Sequence, residues 1–331
     1  MSQRPNLLFV LGSPRSGTSW AANLLSSSEH VATSPELHYF ANYAVTIERT
    51  WDIQTQEIQR NLAPLDHGGS MRDRVTKLPS ALEPADLHRW LRYPVDLLVD
   101  KARAADPDLV LFVFKTPSDS CFVPLIAELF PEAQFLHVVR NPLAVIASFR
   151  AVSRTWGKDW APRSVILGAL VWRIHVASAA DALRFDPTSG GSSRYEDIRV
   201  DPEGFVRTSL ERLGLPGDAG GPERGEELHS GVLLSDLASR ARRDDGIAEP
   251  EGFGDGTSTR RGVGRFRTWI VEALCGDLMT QHGYEISHPS SQRLAGLRRW
   301  MLVVAERVYN RHYGRRAHKG LRPKPVPIHL S

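Results

Sequence analysis

The stretch Asn6–Trp20, NLLFVLGSPRSGTSW, reads as a strand, a tight turn and the start of a helix. Leu7–Leu11 is apolar at every side chain and of strand length, the pattern of a parallel strand buried on both faces. It stops at Gly12-Ser13-Pro14-Arg15-Ser16-Gly17-Thr18-Ser19, where two glycines permit a tight turn and close backbone approach. A helix is expected from about Gly17 through Leu25. Its first N–H groups and positive dipole end attract an anion. Arg15 adds a fixed cation, and Ser16, Thr18 and Ser19 add hydroxyl donors, so the stretch is a cradle for a phosphate-like group. The plainer alternative is an ordinary strand–turn–helix with Arg15 solvated.

Composition narrows the class. A chain of 331 residues with 41% hydrophobic content can build one large core or two modest ones. A net charge of +3 argues against general nucleic-acid binding and leaves room for local basic pockets. Only six of the 41 basic residues are lysines, so a lysine at a strand end stands out. The two cysteines, Cys121 and Cys275, form neither a disulfide framework nor a metal cluster and fit a reducing compartment. Leu7–Leu11 is too short for a signal-peptide core and no run reaches membrane-spanning length, so a soluble, cytoplasmic protein is expected.

Further along, Val31–Thr33 suits a short strand, and Pro35 keeps the residue before it extended. Glu36 and His38, two apart, would project to one side of an extended segment, and each can move a proton. Taken alone they read as a helix-start carboxylate and a packed core histidine. Residues 41–108 read as helical, with periodicity at Leu87, Leu91, Val95, Leu98 and Val99 and loops near Pro64–Gly69 and Pro79–Pro84. Leu109–Phe114 is a second apolar strand ending on Lys115-Thr116-Pro117. Gln134–Val139 is a third, ending on Arg140-Asn141-Pro142, with helices at Val123–Phe130 and from about Leu143 to Val152. This alternation predicts a P-loop-like, doubly wound parallel α/β sheet flanked by helices, whose ligands sit outside the carboxyl ends of the strands. Arg15, Lys115 and Arg140 all fall there.

Later segments are a helix at Pro162–Leu183, with Trp172 and His175 as core, and a loop at Asp186–Ser193. A helix at Pro202–Leu213 is stopped by Gly214. Residues 244–259 read as mobile, Arg260–Arg267 as a basic segment able to close over an anion, and Trp269 to about His282 as a helix. The chain divides into one domain over 1–290 and a C-terminal helix with a basic tail over 291–331. The tail allows peripheral membrane contact.

The loop spacing G-x-x-x-x-G resembles the nucleotide-binding P-loop, but Thr18 stands where its lysine should be. A nucleotide kinase needs that lysine and a strand-end Asp for Mg²⁺. Here both later strands end in cations, so no metal is expected, and fixed positive side chains neutralise the ligand instead.

Pro14-Arg15-Ser16-Gly17-Thr18-Ser19-Trp20, with the order of segments from Asn6 to His282, resembles sulfotransferases that use 3′-phosphoadenosine 5′-phosphosulfate (PAPS). The resemblance implies the sulfotransferase fold and gives Arg15, Ser16, Gly17, Thr18 and Ser19 to the 5′-phosphosulfate, with Trp20 on the adenine. It gives Arg140 and Ser148 to the 3′-phosphate, Tyr195 a place near the adenine, and Arg260, Arg261 and Gly262 the cover of the 3′-phosphate. Lys115-Thr116 matches the family's strand-end pair, but cytosolic members place their catalytic histidine where this chain has Pro117. The C-terminal segment has one residue fewer between its glycines than cytosolic members show, and Gly190–Ser193 replaces the strand that normally precedes the Tyr-Glu-Asp motif. Pro35–Phe40 resembles the Glu-x-His-Phe-Phe segment of heparan sulfate 3-O-sulfotransferases, and tyrosylprotein sulfotransferases also place a catalytic Glu after the first helix. The resemblance therefore implies Glu36 as general base, with His38 second, Arg15 and Lys115 stabilising transition-state charge, and a carbohydrate, lipid or other small-molecule hydroxyl as acceptor. A metal-dependent kinase and a non-catalytic nucleotide-binding protein are the rivals.

Overall fold

In the computed structural model, residues 4–62, 78–185, 191–216, 264–288 and 303–304 are described. Five strands form one parallel sheet in the order β2-β3-β1-β4-β5: β1 (Asn6–Leu11), β2 (Val31–Thr33), β3 (Leu111–Phe114), β4 (Ala133–Val139) and β5 (Gly191–Arg194). β1 is central, in register with β3 through Phe9↔Phe114 and with β4 through Leu11↔His137. The chain places β3 on one side of β1 and β4 on the other, which makes the carboxyl end of β1 a topological switch point.

The apolar run behaves as its composition demands. Leu7 through Leu11 are at most 1% exposed because both faces of the sheet are covered. On one face Leu7, Phe9 and Leu11 pack with Phe112, Phe114 and Phe135, the Phe9 and Phe114 rings stacked at 4.8 Å. Against them lie α2 (Val45–Leu62), α3 (Pro84–Ala105) and α4 (Val123–Leu129). Of the expected stripe α3 buries Leu87, Leu91, Val95 and Val99, with Leu98 partly buried, and it adds Ala102. On the other face Leu8, Val10, Val113 and Val138 meet α1 (Thr18–Leu25) and, following the short α7 (Tyr195–Val200), α8 (Pro202–Arg212). A further cluster joins α5 (Pro142–Val152), α6 (Val165–Phe185) and α9 (Arg265–Gln281), with Trp172 fully buried and His175 buried beside it.

Three expectations are corrected. The strand thought missing before the Tyr-Glu-Asp motif is present: Gly191–Arg194 pairs with Leu136–Val139 of β4. An edge strand needs backbone pairing on one side only, so Gly-Ser-Ser-Arg serves without an apolar run. The helix expected from Trp269 starts four residues earlier, so Arg265–Arg267 form its first turn. The segment of Glu36 and His38 is not extended throughout. His38 has φ 49, in the left-handed region, and a π turn follows at Phe40–Ala44. Arg260, Arg261 and Gly262, the loops at 64–69 and 244–259, and the tail apart from Val303 and Val304 lie outside the described residues.

Candidate active site

The loop Gly12–Gly17 joins β1 to α1, and its backbone is unusual at each turn of direction. Gly12 lies against the Val138 carbonyl, so no side chain fits there. Arg15 and Gly17 have φ of 70 and 90. Gly17 also faces the Tyr195 ring, which any Cβ at that position would strike. As N-cap of α1, Gly17 has no side chain to offer, and among the described residues no side-chain cap hydrogen bond covers the helix start. The Ser16 hydroxyl is buried and has no partner among the described residues. A buried orphan hydroxyl beside an uncapped helix start suits the oxygens of an anion.

Cations converge on this loop from two strand ends and from within it. Arg140, at the end of β4, donates from Nη1 to the Arg15 carbonyl at 3.2 Å, and its guanidinium lies 4.2 Å from the centre of the Tyr195 ring. Burial pushes the Arg140 guanidinium down from its ordinary value, a cost that a bound anion would relieve. The carbonyl of Arg140 is held by Trp172 Nε1 at 2.8 Å. The Tyr195 ring meets Trp20 edge-on at 5.6 Å. Arg15 Nε donates to Ser148 Oγ at 3.0 Å, and the Arg15 guanidinium lies 5.7 Å from the Trp156 ring centre. Trp20, Tyr195, Arg140, Arg15 and Ser148, scattered along the chain, thus line one side of the loop.

The second side carries groups whose chemistry allows proton transfer. Lys115, at the end of β3, donates from Nζ to Ser19 Oγ at 3.0 Å and lies 3.6 Å from Glu36 Oε1. Glu36 Oε2 is 3.6 Å from His38 Nε2. His38 Nδ1 is 3.3 Å from Ser118 Oγ, and the Leu37 N–H donates to Thr116 Oγ1 at 3.2 Å. The His38 side chain is 47% exposed and so is no packed core histidine, and Glu36, 37% exposed, lies ahead of the turn that starts at Phe40 and faces Lys115 and His38 instead. They meet through the left-handed turn at His38 rather than through strand alternation. Beneath them Asp119 is buried, and its carboxyl is pushed well above the ordinary range by desolvation and by the Glu36 charge, while a hydrogen bond from Thr116 opposes.

Three contributors escaped the sequence reading. Ser120 braces the loop, accepting the Gly12 N–H at 2.8 Å. Glu196 accepts the Asn141 N–H at 3.1 Å and the Tyr284 hydroxyl at 2.8 Å, tying Tyr195's neighbour to the Arg140 turn. Its signal was its place in the Tyr-Glu-Asp motif. Trp156, against Arg15, left no local signal at all.

Comparison with known proteins gives the family. The model of the Sulfotransferase family matches residues 5–219. An omega-hydroxy-beta-dihydromenaquinone-9 sulfotransferase of Mycobacterium bovis is 29% identical over 125 residues, covering 31% of this chain and 28% of that protein. An uncharacterized protein of Aquifex aeolicus is 25% identical over 223 residues, covering 65% of this chain and 26% of that protein. The chain thus matches less than a third of the length of either relative. Among solved structures, the sulfotransferase domain of the curacin biosynthetic pathway aligns with TM-score 0.45 and 19% identity over 86% of this chain and 100% of that one. The sulfotransferase STF9 of Mycobacterium avium aligns with TM-score 0.45 and 14% identity over 86% of this chain and 79% of that one. With the family match running from β1 through the end of α8, the chain belongs to the Sulfotransferase family.

Proposed function

We propose that the protein transfers a sulfuryl group from PAPS to a hydroxyl acceptor. The observation that carries the reading is the convergence of Arg15, Lys115 and Arg140 around a loop whose buried Ser16 hydroxyl has no partner among the described residues. In this reading Ser16, Gly17, Thr18 and Ser19 hold the 5′-phosphosulfate with the first-turn N–H groups. Trp20 and Tyr195 flank the adenine. Arg140 and Ser148 take the 3′-phosphate, with Arg260, Arg261 and Gly262 as its cover. The donor supplies the activated sulfuryl group, and every other part of the chemistry falls to side chains of this chain.

Glu36 takes the proton of the acceptor hydroxyl as its oxygen bonds to sulfur. The bond from sulfur to the 5′-phosphate oxygen breaks, and Lys115 and Arg15 stabilise the charge growing on that bridging oxygen. Adenosine 3′,5′-bisphosphate leaves. Lys115 suits this role because it stands between Ser19 on the donor side and Glu36 on the acceptor side. His38 is the second candidate base. With Lys115 and Arg140 at the strand ends, the chemistry needs no divalent metal.

The mycobacterial relative's name points to a hydroxyl on a lipid-like molecule, which supports a small-molecule or lipid acceptor here. No helix among the described residues is long and apolar enough to cross a membrane. The deciding experiment incubates the protein with radiolabelled PAPS and a panel of phenol, carbohydrate and hydroxylated isoprenoid acceptors. Label moving to one class, with release of the bisphosphate, is the expected result. Tight bisphosphate binding without transfer to any acceptor would instead favour a non-catalytic nucleotide-binding protein.

A further inference from the structure

Pro117 begins a single 3₁₀ turn, Pro117–Cys121, between β3 and α4. Every polar side chain from Lys115 to Ser120 reaches one of the two halves of the site or a neighbour that does. Ser120 is fully buried, and its hydroxyl accepts the Gly12 N–H at 2.8 Å and donates to the Gly12 carbonyl at 3.3 Å. It therefore satisfies both backbone groups of the residue where β1 turns into the donor loop. Thr116 is also buried, and its hydroxyl accepts the Leu37 N–H at 3.2 Å while hydrogen bonding the Asp119 carboxyl. Leu37 sits between Glu36 and His38, so this bond fixes the backbone that aims both. Ser118 reaches His38 directly at 3.3 Å. The turn is thus tied to Gly12 at one end and to Leu37 at the other.

We propose that this turn is a positioning bracket coupling the donor loop to the base-bearing segment, with Ser120 and Thr116 as its two positioning residues. The inference rests on the PAPS reading and adds to it a reason for the fixed spacing between donor and base. Transfer in line requires the acceptor oxygen to be held at one distance from sulfur, and a displacement of about 1 Å is costly. The donor loop and the segment at Glu36 belong to different connections, and β3 lies between β1 and β2. The turn after β3 lies between them and touches both, beside the Lys115 bridge from Ser19 to Glu36. Ser120 holds the near side through a buried reciprocal pair, and Thr116 holds the far side through one backbone N–H.

The test uses the full chain with adenosine 3′,5′-bisphosphate as the probe. Titration calorimetry reads affinity, and hydrogen exchange reads the amides of Ser34–Tyr39. In the wild type, saturating bisphosphate slows exchange in that segment although the ligand occupies the donor side. Ser120→Ala leaves the buried Gly12 N–H without a partner, weakens bisphosphate binding about tenfold and removes the protection even at saturation. Thr116→Val keeps affinity within about twofold, because it acts on the far side, yet also removes the protection. Thr116→Ser, which restores the hydroxyl, restores it. A residue that merely supported the fold would lower the melting temperature without uncoupling the two sides. Protection that persists in both variants, or is missing in a wild type that binds, overturns the bracket. A wild type that binds no bisphosphate overturns the donor reading and the bracket with it. Should Ser120→Ala fail to fold, the Thr116→Val and Thr116→Ser pair decides alone.

Discussion

The two sides of the site are built differently. The donor side is buried and braced: Gly12, Ser13 and Ser16 are covered, Arg140 is sandwiched by Tyr195 and the Arg15 carbonyl, and Trp172 locks the Arg140 turn from below. The base side, Ser34–His38, has no regular structure, carries half-exposed side chains and is held by Lys115, Thr116 and Ser118. A buried, cross-linked cradle suits a ligand that never changes, whereas an exposed segment on a few tethers can meet different acceptors. On the proposed function, donor affinity and transfer rate then rest on different residues, joined through Lys115 and the turn after β3.

Glu36→Gln is the sharpest way to break that separation. A positioned general base contributes about 10²–10⁴-fold in rate, so turnover with an acceptor found by screening is expected to fall by that order. Bisphosphate affinity measured by calorimetry should hardly move, since Glu36 faces Lys115 and His38 rather than the loop backbone. Equal losses in rate and affinity would show the two sides to be one unit. His38→Asn is the control: if it abolishes transfer while Glu36→Gln spares it, the histidine is the base.

The next effect is confined to the donor side. A charge-assisted contact to one phosphate is worth about 1.5–3 kcal/mol, so adenosine 3′,5′-bisphosphate should bind roughly ten- to hundredfold tighter than adenosine 5′-monophosphate. Arg140→Ala should erase most of that ratio, and Glu36→Gln should leave it intact. Equal affinity for the two nucleotides in the wild type would remove Arg140 and Ser148 from the 3′-phosphate.

A third effect tests the difference in burial through stability. His137 lies on β4 beneath the donor side, with both ring nitrogens buried and unpartnered among the described residues and the His282 ring edge-on at 5.4 Å. Desolvation, with a smaller contribution from His282, lowers its pKa from 6.5 to about 3. The unfolded chain therefore binds a proton that the folded chain refuses, and stability falls as pH drops below 6.5 until about 3. The slope for one proton is about 1.4 kcal/mol per pH unit. His137→Leu should remove one proton's slope from the acid limb of denaturant-derived stability between pH 6 and about 4. An unchanged limb would mean that the ring gains a proton partner in the folded protein. The smallest expected effect is none: excess EDTA should leave turnover undiminished, and a complete loss restored by Mg²⁺ would return a kinase-like chemistry.

Much of this was legible in the chain because it is local. The all-apolar Leu7–Leu11 demands burial on both faces, Gly12 and Gly17 of the following loop accept positive φ values, and Lys115 and Arg140 sit one residue beyond apolar strands. Those features identified the parallel sheet and the cradle without any tertiary information. The strand Gly191–Arg194 was not legible, since at a sheet edge backbone pairing to β4 outweighs residue propensity. Nor were the Tyr195 ring against Gly17, the Ser120 hydroxyl on Gly12, or Lys115 between Ser19 and Glu36. Each joins residues about 80 to 180 positions apart, or crosses from one strand end to another, and no spacing rule reaches that far. Chain chemistry settled which groups the protein owns; the order of strands in the sheet decided which of them meet, because only the folded sheet brings its five carboxyl ends to one edge.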